Sequence, residues 1–167
     1  MEKENNTNNS YLTFRLGKEE FGVHVSQVLN ILEMTEITEV PKTPDYMKGV
    51  INLRGNVLPV IDSRVKFALP ETEYTNKTCI IVLDLDLDGN PVNIGAIVDE
   101  VLSVIEIEEG DIEPPPNLGN QYESEFIYGM AKVQNDFIMM LDMQKVISAG
   151  ELEQLTENTG EEEKVNS

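Results

Sequence analysis

The sequence predicts a mostly β protein built from small antiparallel barrels. Period-two alternation of apolar and polar residues dominates, helical patterns are few and short, and strands and helices do not alternate as they do in a doubly wound parallel sheet. A chain of 167 residues is long enough for one domain, or for two small lobes that share a core.

A β-hairpin is predicted near the N-terminus. Its inward-facing residues are apolar and alternate in sequence: Leu12, Phe14, Leu16, Phe21, Val23 and Val25. Residues 17–19 supply the turn between the two strands. His24, the only histidine, falls at an outward position, which favours a surface side chain over a catalytic base.

Two short helical segments are predicted next. Ser26 is a good helix cap, and it precedes an apolar stripe with helical spacing. The stripe consists of Val28, Ile31 and Leu32. These side chains either pack on the protein's own core or line a groove for a partner. Thr43 and Pro44 predict a cap and first turn of a second segment, which Gly49 ends.

The stretch GVINLRGNVLPVID, residues 49–62, predicts a second hairpin. Gly55 and Asn56 suit a two-residue turn with glycine first, which places Arg54 at the hairpin tip. Pro59 has no N–H to donate to a strand ladder, so the returning strand is predicted to lie at a sheet edge or to carry a bulge.

The second half of the chain repeats the alternating pattern after a polar junction at residues 71–77. The predicted segments are strands within residues 79–98 with a turn at 88–90, a less regular strand at 98–107, an extended passage at 114–116, a hairpin turning at 134–136, and helices at 143–148 and 151–157. Residues 1–9 predict a disordered N-terminal tail and residues 159–167 an acidic disordered tail.

The charge distribution limits the classes of partner. The net charge is −19, and residues 78–131 contain twelve acidic residues and no basic one. Nonspecific binding to nucleic acid or to anionic lipid needs clustered Lys or Arg, so the negative charge argues against such binding, and nucleic acid is not predicted as a partner. The acidic run is either a solvated face or a surface that steers a basic partner. The sequence contains no run of about 18 apolar residues, so insertion into a membrane is not predicted. The polar N-terminus predicts a cytoplasmic location.

One metal-like motif requires attention. Asp84, Asp86, Asp88 and Gly89 reproduce the first half of an EF-hand loop, but the twelfth position is Gly95 instead of the required glutamate. The aspartates also alternate with leucines, which predicts an acidic outer face of a strand. A metal-responsive acidic β-protein that uses this face is the alternative function.

Catalytic residues are not predicted. The adjacent pairs Asp99–Glu100 and Glu108–Glu109 point to opposite strand faces and do not converge. Cys79 is the only cysteine and starts a strongly apolar run, which predicts a buried small side chain. The sequence therefore predicts no enzyme, no cofactor and no metal site.

Four segments together resemble the CheW family, the adaptor proteins of bacterial chemotaxis. Residues 44–67, PDYMKGVINLRGNVLPVIDSRVKF, resemble the family's signature segment, and residues 11–28, 95–116 and 126–147 resemble its opening, second-lobe and closing segments in the same order. The resemblance implies two SH3-like, five-stranded antiparallel β-barrel lobes with a few short helices, and a non-enzymatic role. It implies one CheW-like domain over residues 10–158, with lobe one at about 15–70, lobe two at about 71–145 and closing helices at 143–158.

The same resemblance implies partners. Family members couple the cytoplasmic helical hairpin of a chemoreceptor to the regulatory domain of the histidine kinase CheA. Such a protein is expected to be a monomer in isolation, in the cytoplasm, and associated with receptor arrays at the inner face of the membrane.

The resemblance also assigns site residues. The predicted receptor-binding residues are Val28, Asn30, Ile31, Arg54, Gly55, Val101 and Val104. Gly49 is assigned, weakly, to kinase binding. Arg54 matches the arginine of the N-L-R-G motif and is either a partner-binding or a solubilising residue. Asn30 stands where many relatives carry a glutamate able to pair with that arginine, and Glu33 is the candidate substitute.

Overall fold

The computed structural model describes residues 9–70, 73–87, 89–114, 126–147 and 151. Within these residues the chain forms short strands and four single helical turns. The strands are β1 (Ser10–Leu16), β2 (Glu19–His24), β3 (Val28–Glu33), β4 (Met47–Leu53), β5 (Asn56–Asp62), β6 (Cys79–Leu87), β7 (Asn90–Val98), β8 (Glu100–Glu106), β9 (Ile112–Glu113), β10 (Ile127–Val133) and β11 (Asp136–Leu141). The helical turns are α1 (Ser63–Lys66), α2 (Met143–Val146) and two of 3-10 type (Val25–Gln27 and Glu109–Asp111).

The strands form two sheets, which confirms the predicted mostly β, two-lobed fold class. The terminal sheet has the order β8-β1-β2-β11-β10-β9, and the central sheet has the order β3-β6-β7-β5-β4. The terminal sheet has six strands because the two-residue β9 is added at its edge. Each sheet also contains one parallel pair, β2 with β11 and β5 with β7, among otherwise antiparallel neighbours.

The predicted lobe limits do not coincide with the two sheets. The central sheet takes the continuous segment β3 to β7, whereas the terminal sheet joins the N-terminal hairpin to β8–β11. The parallel pairing of β2 with β11 makes this closure, with Phe21 opposite Met139. Alternation in a sequence tells which side chains face the core, but it does not tell which strands become neighbours.

One main apolar core joins the sheets. Its residues from the first hairpin are Leu12, Phe14, Leu16, Phe21 and Val23, all of them buried as predicted, and they pack with central-sheet residues such as Ile61, Ile81, Leu83, Ile94 and Ala96. Val25 instead lies half-buried in a 3-10 turn. Cys79 is buried, as predicted.

The predicted helix after Ser26 is wrong. Only Val25–Gln27 turns helically, and β3 begins at Val28 and pairs antiparallel with β6. Ile31 lies opposite Ile81 in this ladder. Partners that are distant in sequence override a weak local helical preference, and β-branched Val and Ile suit a strand. His24 is the N-cap of the 3-10 turn, because its Nδ1 accepts from the Ser26 N–H at 3.1 Å.

The predicted helical turn before Gly49 is also wrong. Strand β4 begins at Met47, so Gly49 lies inside a strand, with φ of +147°. A Cβ at this glycine would lie 2.1 Å from the Thr38 carbonyl oxygen. Thr38 and Val50 exchange both backbone hydrogen bonds, at 2.9 and 2.8 Å, so an isolated bridge presses against the strand where only glycine fits.

The second hairpin forms with its turn one residue earlier than predicted. Leu53 pairs with Asn56, so the two turn residues are Arg54 and Gly55. Strand β5 lies in the interior of the central sheet and not at its edge. Pro59 is tolerated because the pairing of β5 with β7 begins only at Val60, so β7 needs no N–H from residue 59.

The strands and closing hairpin predicted for the second half of the chain are confirmed where the chain is described, and residues 115–116 of the predicted extended passage lie outside the described residues. Strand β8 occupies the predicted irregular region, and β10 and β11 form the closing hairpin around residues 134–135. The helix predicted at 143–148 is observed as Met143–Val146. Of the helix predicted at 151–157 only Glu151 is described, and it is helical. Residues 1–8, 115–125 and 152–167 lie outside the described residues, which includes both predicted tails apart from Asn9.

Candidate functional site

The predicted receptor-binding residues lie at three places. Val28, Asn30 and Ile31 are on β3, an edge strand of the central sheet. Val101 and Val104 are on β8, an edge strand of the terminal sheet. Arg54 and Gly55 form the β4–β5 turn. The candidate site is therefore composed of elements from both sheets.

Of the predicted apolar residues, each edge strand carries one that is well exposed and one that is half-buried. Ile31 is 43% exposed and Val104 is 60% exposed. Val28 and Val101 are half-buried and pack against the main core. The half-buried valines fix the strands on the core, and the exposed side chains leave apolar surface accessible to a partner.

Leu29 is an exposed residue that the sequence analysis missed. It is 53% exposed and shares the outer face of β3 with Ile31. The ladder register shifts between Val28 and Asn30, so Leu29 lies at a β-bulge. The interpretation of this segment as a helix hid the alternation, which becomes visible once the segment is treated as a strand.

The turn that carries Arg54 is rigid and points into solvent. Both turn residues have positive φ, +54° at Arg54 and +86° at Gly55, which is the two-residue geometry that matches strand twist. The Gly55 N–H donates to Asn52 Oδ1 at 2.9 Å, which satisfies an otherwise open donor. Arg54 is exposed.

No ion pair involves Arg54 within the part of the chain that the structure describes. Asn30 Oδ1 accepts from the Ile31 N–H at 2.8 Å. Glu33 forms no ion pair with Arg54 in the described part of the chain either, so it does not take the place of the missing glutamate there. The guanidinium keeps its charge accessible at the surface.

Gly49 occupies a different environment from the predicted receptor-binding residues. It is buried inside β4 against the Thr38 bridge. Its close backbone contact shapes the base of the hairpin, and its assignment to kinase binding remains a prediction.

The principal charged cluster of the fold was missed by the sequence analysis. It centres on Arg64, which is only 1% exposed. Its Nη2 lies 3.4 Å from Asp62 Oδ2, and its Nη1 lies 3.2 Å from Asp99 Oδ1. The Tyr74 hydroxyl donates to the same Asp62 oxygen at 3.1 Å, and the guanidinium carbon lies 5.2 Å from the Tyr74 ring centroid.

The ionisation of this cluster follows from its burial. Burial lowers the pKa of Arg64, but the hydrogen bond to Asp62 and the charges of Asp62 and Asp99 outweigh it, so the net pKa is raised. Burial, together with the charge of Asp62, raises the pKa of Tyr74 to about 12. The arginine is therefore a permanent cation between two carboxylates.

A local sequence signal for this cluster does exist. Asp62 follows a fully apolar run and caps α1, because its Oδ1 accepts from the Arg64 N–H at 2.9 Å. An Asp-x-Arg at the end of a buried strand places both charges at the same strand end. Asp99, the second carboxylate, is contributed by a segment distant in sequence, and no local pattern could reveal it.

The acidic face of β6 has the predicted alternation. Leu83 and Leu85 are buried, while Asp84 is half-buried and Asp86 is exposed. Asp88 lies outside the described residues. Among the residues that the structure describes, no group of three or more potential metal ligands converges. The metal-responsive alternative is not supported.

Comparison with known proteins places these features in a family. Residues 10–151 match the CheW-like domain. The chain belongs to the CheW family. The chemotaxis protein CheW of Klebsiella aerogenes is 34% identical over 142 residues, covering 85% of this chain and 83% of that protein. The chemotaxis protein CheW of Bacillus subtilis is 35% identical over 148 residues, covering 88% and 92%.

A solved member of the CheW family has the same fold. The crystal structure of the scaffolding protein TtCheW from Thermoanaerobacter tengcongensis aligns with a TM-score of 0.74 and 30% identity, covering 86% of this chain and 94% of that one. The CheW family consists of scaffold proteins and not of enzymes. None of the helical segments in the described part of the chain has the length and hydropathy of a transmembrane span.

Proposed function

We propose that this chain is a chemotaxis adaptor that links the cytoplasmic helical hairpin of a chemoreceptor to the histidine kinase CheA. The observation that carries the proposal is the CheW-like match over residues 10–151. The structure supports it with exposed apolar side chains on one edge strand of each sheet. A scaffold needs surfaces that bind and no chemistry of its own.

In receptor binding, the apolar face of a receptor helix would pack on an apolar surface of this chain. Ile31 and Val104 supply the exposed apolar area, and Val28 and Val101 support them from the core. Arg54 adds a cation on a rigid turn, and its planar guanidinium can donate to carboxylates or to the terminal carbonyls of a receptor helix.

Kinase binding would use surfaces other than the receptor site. Gly49 contributes by setting the backbone path of β4 against residue 38. Single interfaces of this type commonly have dissociation constants in the micromolar range, and many linked interfaces together give a stable array. A monomeric adaptor in the cytoplasm, held at arrays on the inner face of the membrane, fits this arrangement.

Co-sedimentation tests this proposal. Membrane-anchored or assembled receptor fragments are mixed with CheA, with and without this chain, and pelleted. We expect CheA to enter the pellet in a manner that depends on the chain, and kinase activity in the pellet to rise. If the chain stays in the supernatant with both partners present at tens of micromolar, the adaptor assignment is overturned.

A further inference from the structure

Asp99 is the single residue between β7 of the central sheet and β8 of the terminal sheet. Its carboxylate is held by both sheets. Oδ1 lies 3.2 Å from Arg64 Nη1, and Oδ2 accepts from the Gly17 N–H at 2.6 Å. Its own N–H donates to the Arg15 carbonyl oxygen at 3.1 Å. Asp99 therefore fixes the start of β8 relative to both sheets.

The cation that holds Asp99 is itself immobilised. Arg64 is buried on α1 at the end of β5, and Asp62 binds its guanidinium through Oδ1 at 3.5 Å and Oδ2 at 3.4 Å. The Tyr74 ring lies next to the guanidinium, and its hydroxyl donates to the same Asp62 carboxylate. A buried arginine with a second carboxylate on its own segment cannot follow Asp99 if that residue moves, so it acts as a fixed point of the central sheet.

We propose that Arg64 and Asp99 are positioning residues for receptor binding. They set where β8, with Val101 and Val104, lies relative to Ile31 and the Arg54 turn. The inference rests on the proposed function, because it concerns the same composite surface. Strand β8 is an edge strand whose ladder neighbour among the described strands is β1, and the residue that precedes it joins it to the buried Arg64 beside the central sheet.

Loss of the Asp99 charge should move β8 without unpairing it. The β1–β8 ladder keeps its backbone bonds, and Glu100 keeps its own pairs with Arg15 at 3.1 Å and Lys77 at 3.8 Å. A small displacement of one half of a composite surface weakens binding of a rigid helix even though no contact residue has changed.

The test compares Asp99→Asn with Asp84→Asn. Both substitutions remove one negative charge from the β6–β8 region, but Asp84 lies on the outer face of β6. Binding of a receptor hairpin fragment is measured by titration calorimetry. We expect Asp99→Asn to weaken binding roughly fivefold or more, and Asp84→Asn to leave it unchanged. In NMR spectra the Gly17 amide should shift upfield and exchange faster in Asp99→Asn alone.

General destabilisation is separated by a second control. Ile138→Val removes one methylene from a buried residue of β11, which lowers the melting temperature without touching Asp99. If this variant weakens receptor binding as much as Asp99→Asn does, the inference is overturned. If Asp99→Asn does not fold, Arg64→Lys replaces it, because lysine keeps the charge but cannot bridge both carboxylates. Weaker binding by the folded lysine variant supports the inference, and unchanged affinity overturns it.

The wild-type chain separates this inference from the proposed function. If wild type does not bind the receptor fragment, the adaptor proposal fails. If wild type binds and a folded Asp99→Asn variant binds equally well, only the positioning inference fails.

Discussion

The two ends of the β4–β5 hairpin carry the same residue type in opposite environments. At the tip, Arg54 is exposed and has no ion pair within the described residues. At the base, Arg64 lies two residues after the end of β5, is 1% exposed, and is held between Asp62 and Asp99. The difference in hydration suits the two arginines to different roles. A hydrated guanidinium can exchange its water for a binding partner, whereas loss of the carboxylates around a buried guanidinium would leave an unpaired charge in the core.

The backbone shows the same contrast between tip and base. Gly55, at the tip, has positive φ and open space around its Cα. Gly49, near the base, has positive φ, and the Thr38 carbonyl oxygen lies where its Cβ would be. The tip is built for exposure on a rigid turn, and the base is built for close packing. The comparison yields four predictions, which follow in order of decreasing effect.

Arg64→Met should produce the largest loss of stability. The substitution leaves the buried Asp62 carboxylate and the partly buried Asp99 carboxylate without their cation, which costs about 3–5 kcal/mol in the free energy of unfolding. Urea denaturation measures this loss. The matched control is Arg15→Met, which breaks a more exposed pair with Glu100 and should cost less than about 1 kcal/mol. Equal losses in the two variants would contradict the contrast between buried and exposed arginines.

Gly49→Ala should destabilise the chain by about 2 kcal/mol or more, because the new Cβ meets the Thr38 carbonyl oxygen and φ is unfavourable. Gly55→Ala is the control. It meets only the cost of positive φ, about 1 kcal/mol. The two midpoints of thermal unfolding compare these costs, and a larger loss for the tip glycine would show that the base is not the packed end.

Arg54→Glu should change binding and not stability. The exposed tip tolerates the substitution within about 0.5 kcal/mol of unfolding free energy, whereas affinity for a receptor hairpin fragment should fall about tenfold, equivalent to about 1.4 kcal/mol. Lys18→Glu makes the same charge change at the exposed turn between β1 and β2. If both variants weaken binding equally, the effect is due to net charge, and the assignment of Arg54 to the binding site is rejected.

The smallest effect concerns Tyr74 and pH. Its pKa is raised to about 12 by burial and by Asp62, so the folded state holds this proton more tightly than the unfolded state. The resulting stability is fully present below pH 10 and is lost as the pH rises toward 12. Because Tyr74 is 42% exposed, the contribution should be below about 1 kcal/mol.

Urea midpoints of wild type and Tyr74→Phe at pH 9, 10 and 11 measure this contribution. The difference between the two proteins should shrink as the pH rises. Burial raises the pKa values of Tyr46 and Tyr128 as well, so wild type and variant share the remaining slope. A difference that stays constant across this range would remove Tyr74 from the ionisable cluster.

The sequence determined most of the local β structure. Strict alternation predicted the first and last hairpins, because a residue's face on a strand is fixed by parity alone. The apolar run that begins at Cys79 predicted the burial of that residue, and the alternation of aspartate with leucine predicted the acidic outer face of β6. The residues 44–67 and three supporting segments identified the family. The resemblance located the candidate binding residues, which the structure distributes over two edge strands and one turn.

Tertiary structure decided what local pattern leaves open. Residues 28–33 form a strand because β6 pairs with them, although their spacing also fits a helix. The sheets join the N-terminal hairpin to the C-terminal strands because β2 pairs with β11. A glycine is needed at position 49 because the Thr38 carbonyl oxygen lies where a Cβ would be. Arg64 acquires its second carboxylate only because Asp99 lies beside it in the fold. In each case the deciding partner is distant in the chain, and the free energy of a packed contact exceeds the small preferences of a short segment.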